Sequence, residues 1–171
     1  GGNGDATAPM GYVYNDDDGF TAYDREFALV MNEVWTLAHW CDSHVQLPEW
    51  SDYNPDIYLM NGRVYPDTIA ENGGYVDGDG LHLWEPDPDT GDMVHTQRPE
   101  LRYQPISSRI TCNSGDRVLI RFINLGYVEQ SMRLTGIKMR IVGRDATFLR
   151  GRGGNDLSFE TDSVHIGAGQ S

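Results

Sequence analysis

The sequence predicts an all-β sandwich, and three observations carry that prediction. Apolar and polar residues alternate with a period of two along 117–124 (RVLIRFIN), 131–135 and 138–142, as in strands with one buried face. Turn formers are abundant, with 20 glycines and 8 prolines among 171 residues, and they separate the apolar stretches at short intervals. The longest apolar run, 27–31, falls far short of the ~18 residues of a membrane-spanning helix. With 39% hydrophobic and 11% aromatic residues the chain can build a core, and its length suits one domain.

Residues 1–22, rich in Gly, Asn, Asp and Thr and containing the acidic turn Asp16-Asp17-Asp18-Gly19, read as a linker or approach segment, leaving 23–171 as the domain. Residues 25–32 (REFALVMN) form the first strand, its apolar run suited to burial on both faces. Residues 34–47 fit either a helix, with Trp35, Ala38, His39 and Asp42 at helical spacing, or a loop anchored by Trp35 and Trp40. Ile57-Tyr58-Leu59-Met60 runs into Asn61-Gly62, the strongest hairpin dipeptide in the chain. Residues 70–100 collect Gly, Asp and Pro and read as an acidic hairpin insertion. Its strands are 81–85 and 93–96, with the tip at Asp87-Pro88-Asp89-Thr90-Gly91-Asp92.

Beyond the turn at Asn113-Ser114-Gly115-Asp116, the strand 117–124 places Val118, Ile120 and Phe122 on one face and Arg117 and Arg121 on the other. Met132 and Leu134 alternate with Arg133, and Met139 and Ile141 with Arg140. Residues 162–166 supply a final strand.

Charge narrows the partners. Thirteen basic against 26 acidic residues give a net charge of −13 and a pI near 4.5, which repels a phosphate backbone and excludes nucleic acid as a principal partner. Residues 1–97 contain only Arg25 and Arg63 as basic side chains, and Lys138 is the sole lysine. The arginine-rich second half is therefore suited to clamp carboxylates of the first half or of a neighbour.

Four segments resemble the middle, non-copper cupredoxin domain of multicopper oxidases of the laccase-like and metal-oxidising kind. Tyr58-Leu59-Met60-Asn61-Gly62-Arg63 is similar to that domain's INGR strand and turn. Residues 114–124 (SGDRVLIRFIN) resemble its G-(D/E)-x-V-R-(L/F)-R-(L/F)-I-N strand. Residues 135–145 (TGIKMRIVGRD) resemble the next segment, with Ile137 standing where many relatives carry His, and 162–169 (DSVHIGAG) resemble the strand before its last turn. The resemblance implies a cupredoxin-like Greek-key sandwich that stays incomplete without further chain, because the family continues past Gly169 with a strand that closes the sheet. It implies copper in flanking domains and none in this chain, and an extracellular or periplasmic location. The implied partners are the remaining cupredoxin domains, or another chain supplying the closing strand. The whole enzyme would oxidise phenolic or metal-ion donors and reduce O2 to water.

The residues themselves nominate no catalytic or cofactor-binding group. A type 1 copper site needs a thiolate and two imidazoles in one plane. The only clustered donors are His39, Cys41 and His44 in His39-Trp40-Cys41-Asp42-Ser43-His44. They follow the first strand, have no axial Met at 46–49 and no histidine upstream, so the reading is against a metal there. Asp87, Asp89 and Asp92 lack the distal Glu of a calcium loop. Cys41 and Cys112 suit either a disulfide or two thiols. Trp35, Trp40, Trp50 and Trp84 can form a stacking surface, although the commoner use of such residues is a core. The rival function is an extracellular acidic β-sandwich module for binding or assembly, without catalysis.

Overall fold

A computed structural model describes residues 11–14, 19–44, 47–70, 74–77, 80–86, 88–91, 93–95, 101, 104 and 106–171. Among these the chain is mostly short β-strands in small sheets, with almost no helix. In chain order they are β1 (Gly11–Tyr12), β2 (Ala22–Tyr23), β3 (Arg25–Val34), α1 (Thr36–Ser43), β4 (Ile57–Met60), β5 (Gly74–Asp77), β6 (Gly80–Pro86), β7 (Met93–His95), β8 (Val118–Asn124), β9 (Gln130–Arg133), β10 (Met139–Ile141), β11 (Gly143–Arg144), β12 (Thr147–Phe148), β13 (Phe159–Thr161) and β14 (Ser163–Ile166). Single 3-10 turns form at Trp50–Asp52 and Asp67–Ile69. The acidic turn at 16–18, the paired residues Gly78 and Asp79, and Asp87 and Asp92 of the carboxylate-rich tip lie outside the described residues.

The chain divides into two compact units. Unit 1 comprises Gly1–Leu29, Ile110–Asn124 and Glu129–Ser171, and unit 2 comprises Val30–Arg109 and Leu125–Val128.

In unit 1, four antiparallel pairs recur: β1 with β2, β9 with β14, β10 with β13, and β11 with β12. Alternation places Val164 and Ile166 of β14 and Met139 of β10 in the interior, while His165 and Arg140 face out. Asn124 closes β8 and is fully buried, at 0% exposure. Its side-chain N–H donates to the Ile166 carbonyl at 3.1 Å, and its backbone N–H donates to Gln170 at 2.9 Å. One amide thus satisfies carbonyls that strand pairing leaves over. Within the 1–22 approach segment, residues 11–14 and 19–22 are ordered on this unit. Thr21 is buried, its hydroxyl accepting from the Tyr14 N–H and donating to the Tyr14 carbonyl, and Tyr14 stacks on Phe148 at 4.6 Å.

The uneven charge finds partners here. Arg117 grips Asp24 with Nε and Nη2 at 3.0 and 2.9 Å, and its backbone N–H adds a third bond at 2.8 Å. Arg25 pairs with Asp116, and Arg121 with Glu26. These pairs are half exposed, so each adds little stability. They fix which residues of 24–26 lie beside which of 116–121. Arg117 holds the Asp24 carboxyl down to about 2.

In unit 2, β3 pairs with β4 in the register Met31↔Met60 to Val34↔Ile57. The strand buries Leu29, Met31 and Glu33 and exposes Ala28 and Asn32. Alternation thus replaces the two-sided burial that the apolar run suggested. Asn61 and Gly62 take φ of 52° and 78°, a turn with both central residues left-handed, which favours this dipeptide. A Cβ at Gly62 would lie 2.8 Å from Gln104 Cγ. Residues 34–47, ambiguous by pattern, contain helix α1, whose start is held by Asp56: its carboxylate accepts from the Thr36 N–H and hydroxyl. Within 70–100, the stretch expected to be a hairpin insertion, a three-stranded antiparallel sheet β5–β6–β7 forms, with β5 beyond the two strands expected from sequence.

Arg63 is 2% exposed, and among the described residues no carboxylate forms an ion pair with it. Its Nε donates to the Gln104 carbonyl at 2.7 Å, and Nη1 donates to those of Asp67 and Ala70 at 3.1 and 2.8 Å.

Candidate functional site: an aromatic recess over a buried carboxylate

Helix α1 separates the three metal-ligand candidates. Cys41 is buried and a free thiol, His39 faces solvent, and the His44 ring stacks on Trp40 at 4.3 Å with Nδ1 2.8 Å from the Trp40 carbonyl oxygen. One inward thiol with outward imidazoles does not fit the trigonal donor set of a copper site. No group of three or more His, Cys, Asp and Glu side chains converges among the described residues. Cys112 is also a free thiol and is exposed. The side chains of His82, Trp84 and His95 lie outside the described residues.

Unit 2 instead assembles a site around Glu33. The alternation that buries Leu29 and Met31 brings a carboxylate into the interior, where it is 7% exposed. A buried carboxylate demands donors, and Oε1 receives three: the Tyr53 hydroxyl at 2.9 Å, the Val128 N–H at 3.1 Å, and the Tyr127 N–H. Oε2 is buried with no hydrogen-bond partner among the described residues. It presses on Gly126, where a Cβ would lie only 1.7 Å away. A side chain at 126 and this carboxylate cannot share the space.

Aromatic rings gather around two of the carboxylate's partners, Tyr53 and Tyr127. Trp35, directly after β3, is buried and meets Trp50 edge-on at 5.9 Å and Tyr53 edge-on at 5.5 Å. The 3-10 turn Trp50–Asp52 is capped by Glu49, which accepts from the Ser51 N–H. It projects Trp50 and Tyr53 as near-parallel rings 6.2 Å apart. Tyr127 stands across Tyr53 at 5.5 Å and 71°. Trp50, Tyr53 and Tyr127 line an open recess of about 410 Å³, with Trp50 58% and Tyr127 78% exposed. Burial, reinforced by the bond to Glu33, pushes the Tyr53 hydroxyl up to about 12, so it stays a donor at physiological pH. The recess thus joins three aromatic rings, two of them on residues that hydrogen-bond the Glu33 carboxylate.

Sequence reasoning named Trp35 and Trp50 as able to stack while favouring a core for them, which fits buried Trp35 and not exposed Trp50, and it missed Glu33, Tyr53 and Tyr127. The contact between Glu33 and Tyr127 spans 94 positions, and no local spacing encodes it. A carboxylate on the inward phase of a strand is the one signal that was available. Compared with family models, curated proteins and solved structures, the chain matches none.

Proposed function

We propose that this chain is a non-copper, cupredoxin-like Greek-key domain of a multicopper oxidase, whose flanking domains hold copper, oxidise phenolic or metal-ion donors and reduce O2 to water. One observation carries the reading. Segments that resemble the family in sequence, and in its order, fall on elements of the kind the family uses: a strand and left-handed turn at 57–62, β8 ending in buried Asn124, β10, and β14. The domain's work is then mechanical, spacing and orienting the copper domains, and no side chain of this chain enters the redox chemistry. Its partners are those domains, or a chain that adds a closing strand, in an extracellular or periplasmic setting.

The test is the product of the complete gene. Copper bound in stoichiometric amount, an intense thiolate-to-copper band and phenol-dependent O2 uptake are expected, while residues 1–171 alone stay colourless after copper loading. A complete product that neither binds copper nor consumes O2 overturns the proposal.

A second reading, an acidic extracellular module for binding or assembly, is favoured by the open aromatic recess. A defined oligomer of the isolated chain on size-exclusion chromatography supports its assembly form.

A further inference from the structure

We propose that the Trp50–Tyr53–Tyr127 recess binds a small organic cation, a quaternary or methylated ammonium group, held against the aromatic faces. Four features of unit 2 point to a cation over a neutral ring. The lining is three aromatic residues, Trp50 and Tyr53 near-parallel and Tyr127 across Tyr53 at 71°, and aromatic faces attract cations through their quadrupole, Trp most of all. The buried Glu33 carboxylate is hydrogen-bonded to two residues of the lining, Tyr53 and Tyr127, and its Oε2 has no hydrogen-bond partner among the described residues, so a negative group stands next to the rings. Unit 2 also carries fourteen acidic side chains against four arginines, a surplus that draws cations to its surface. Of those arginines Arg63 is buried, its Nε and Nη1 bound to loop carbonyls. Finally, a sugar would need several polar groups to meet its hydroxyls, and of the few that the lining carries the Tyr53 hydroxyl already donates to Glu33.

A methylated ammonium suits such a recess better than a bare one, because its shell of methyl groups sheds water cheaply and spreads the charge over the surface that meets the rings. The inference concerns one recess and is independent of the oxidase-domain reading. It can fail or hold whether or not the complete gene product contains copper.

The experiment titrates the full 171-residue chain with choline chloride, following tryptophan fluorescence and calorimetric heat, with sodium chloride matched at every point. The probe is compared with 3,3-dimethylbutan-1-ol, which has choline's shape without its charge. Choline is expected to bind in the millimolar range and at least about tenfold more tightly than the neutral alcohol. Tyr127→Leu and Trp50→Leu, both at exposed rings, should each weaken choline about fivefold or more while leaving the circular dichroism spectrum intact. Glu33→Gln, which keeps an acceptor and removes the charge, should weaken choline and leave the alcohol unchanged. Equal binding of the two probes, binding of cellobiose in place of choline, or no response to choline overturns the proposal.

Discussion

Removing the Glu33 side chain should unfold unit 2 well before removing its charge does. In Glu33→Ala the Tyr127 and Val128 N–H groups and the Tyr53 hydroxyl lose their common acceptor. An orphaned buried donor costs about 1–3 kcal/mol. Tyr127 is exposed enough for water to reach its N–H, so the three together should cost on the order of 3 kcal/mol rather than the full sum. Glu33→Gln keeps one oxygen in place of Oε1 and loses only the charge assistance, about 1 kcal/mol. Urea denaturation followed by tryptophan fluorescence reads both, since Trp35 and Trp50 sit in the same cluster. A companion change tests the packing. Gly126→Ala drives a Cβ into Glu33 Oε2 and should cost about 1–3 kcal/mol, most of which disappears in the Glu33→Ala background. An alanine variant as stable as the parent, or a glutamine variant no better than alanine, refutes the role given to this carboxylate.

Three further outcomes are expected. Asn124→Ala leaves the Ile166 carbonyl without its donor in a fully buried place and should lower stability by about 2 kcal/mol in a urea melt. Ala146 sits at φ 60° in the turn between β11 and β12, a region that penalises a Cβ by about 1–2 kcal/mol. Ala146→Gly should therefore raise stability by about 0.5–1 kcal/mol after glycine's greater unfolded-state freedom is subtracted, and thermal melting would show it. Asp24 has its carboxyl lowered to about 2 from 3.8 by Arg117. Its stabilising contribution is thus complete above pH ~4 and lost as pH falls toward 2. An NMR titration should find the midpoint near 2 in the parent, and Asp24→Asn should flatten acid unfolding across that window. A midpoint at 3.8 would remove the pairing from solution.

Local physics was legible in the sequence, and distant contacts were not. β8, β10 and β14 follow from a period of two, and the turn after β4 from the backbone freedom of Asn61-Gly62, because neighbours along the chain decide both. The short strands β1, β2, β11 and β12 were not foreseen. Each is two residues long, too short for alternation to register, and exists through tertiary packing such as Tyr14 on Phe148. Residues 34–47 stayed undecided because the helix there draws its first-turn support from Asp56, twenty positions after Thr36. The site shows the same limit more sharply. Glu33 lies just past the strand expected at 25–32, within β3 as formed, and only the loop at 125–128 reveals what its carboxylate holds.

Arg63 touches the carbonyl of Ala70 with one nitrogen and that of Gln104 with another, so a single guanidinium grips both the departure to and the return from the β5–β7 sheet. Such a socket separates the length of an insertion from the integrity of the body that carries it: once the two ends are pinned, each doubling of the excursion costs only about 0.6 kcal/mol in closure entropy. Changing the length of the segment between those carbonyls should therefore cost the body that carries it little, provided that Arg63 stays.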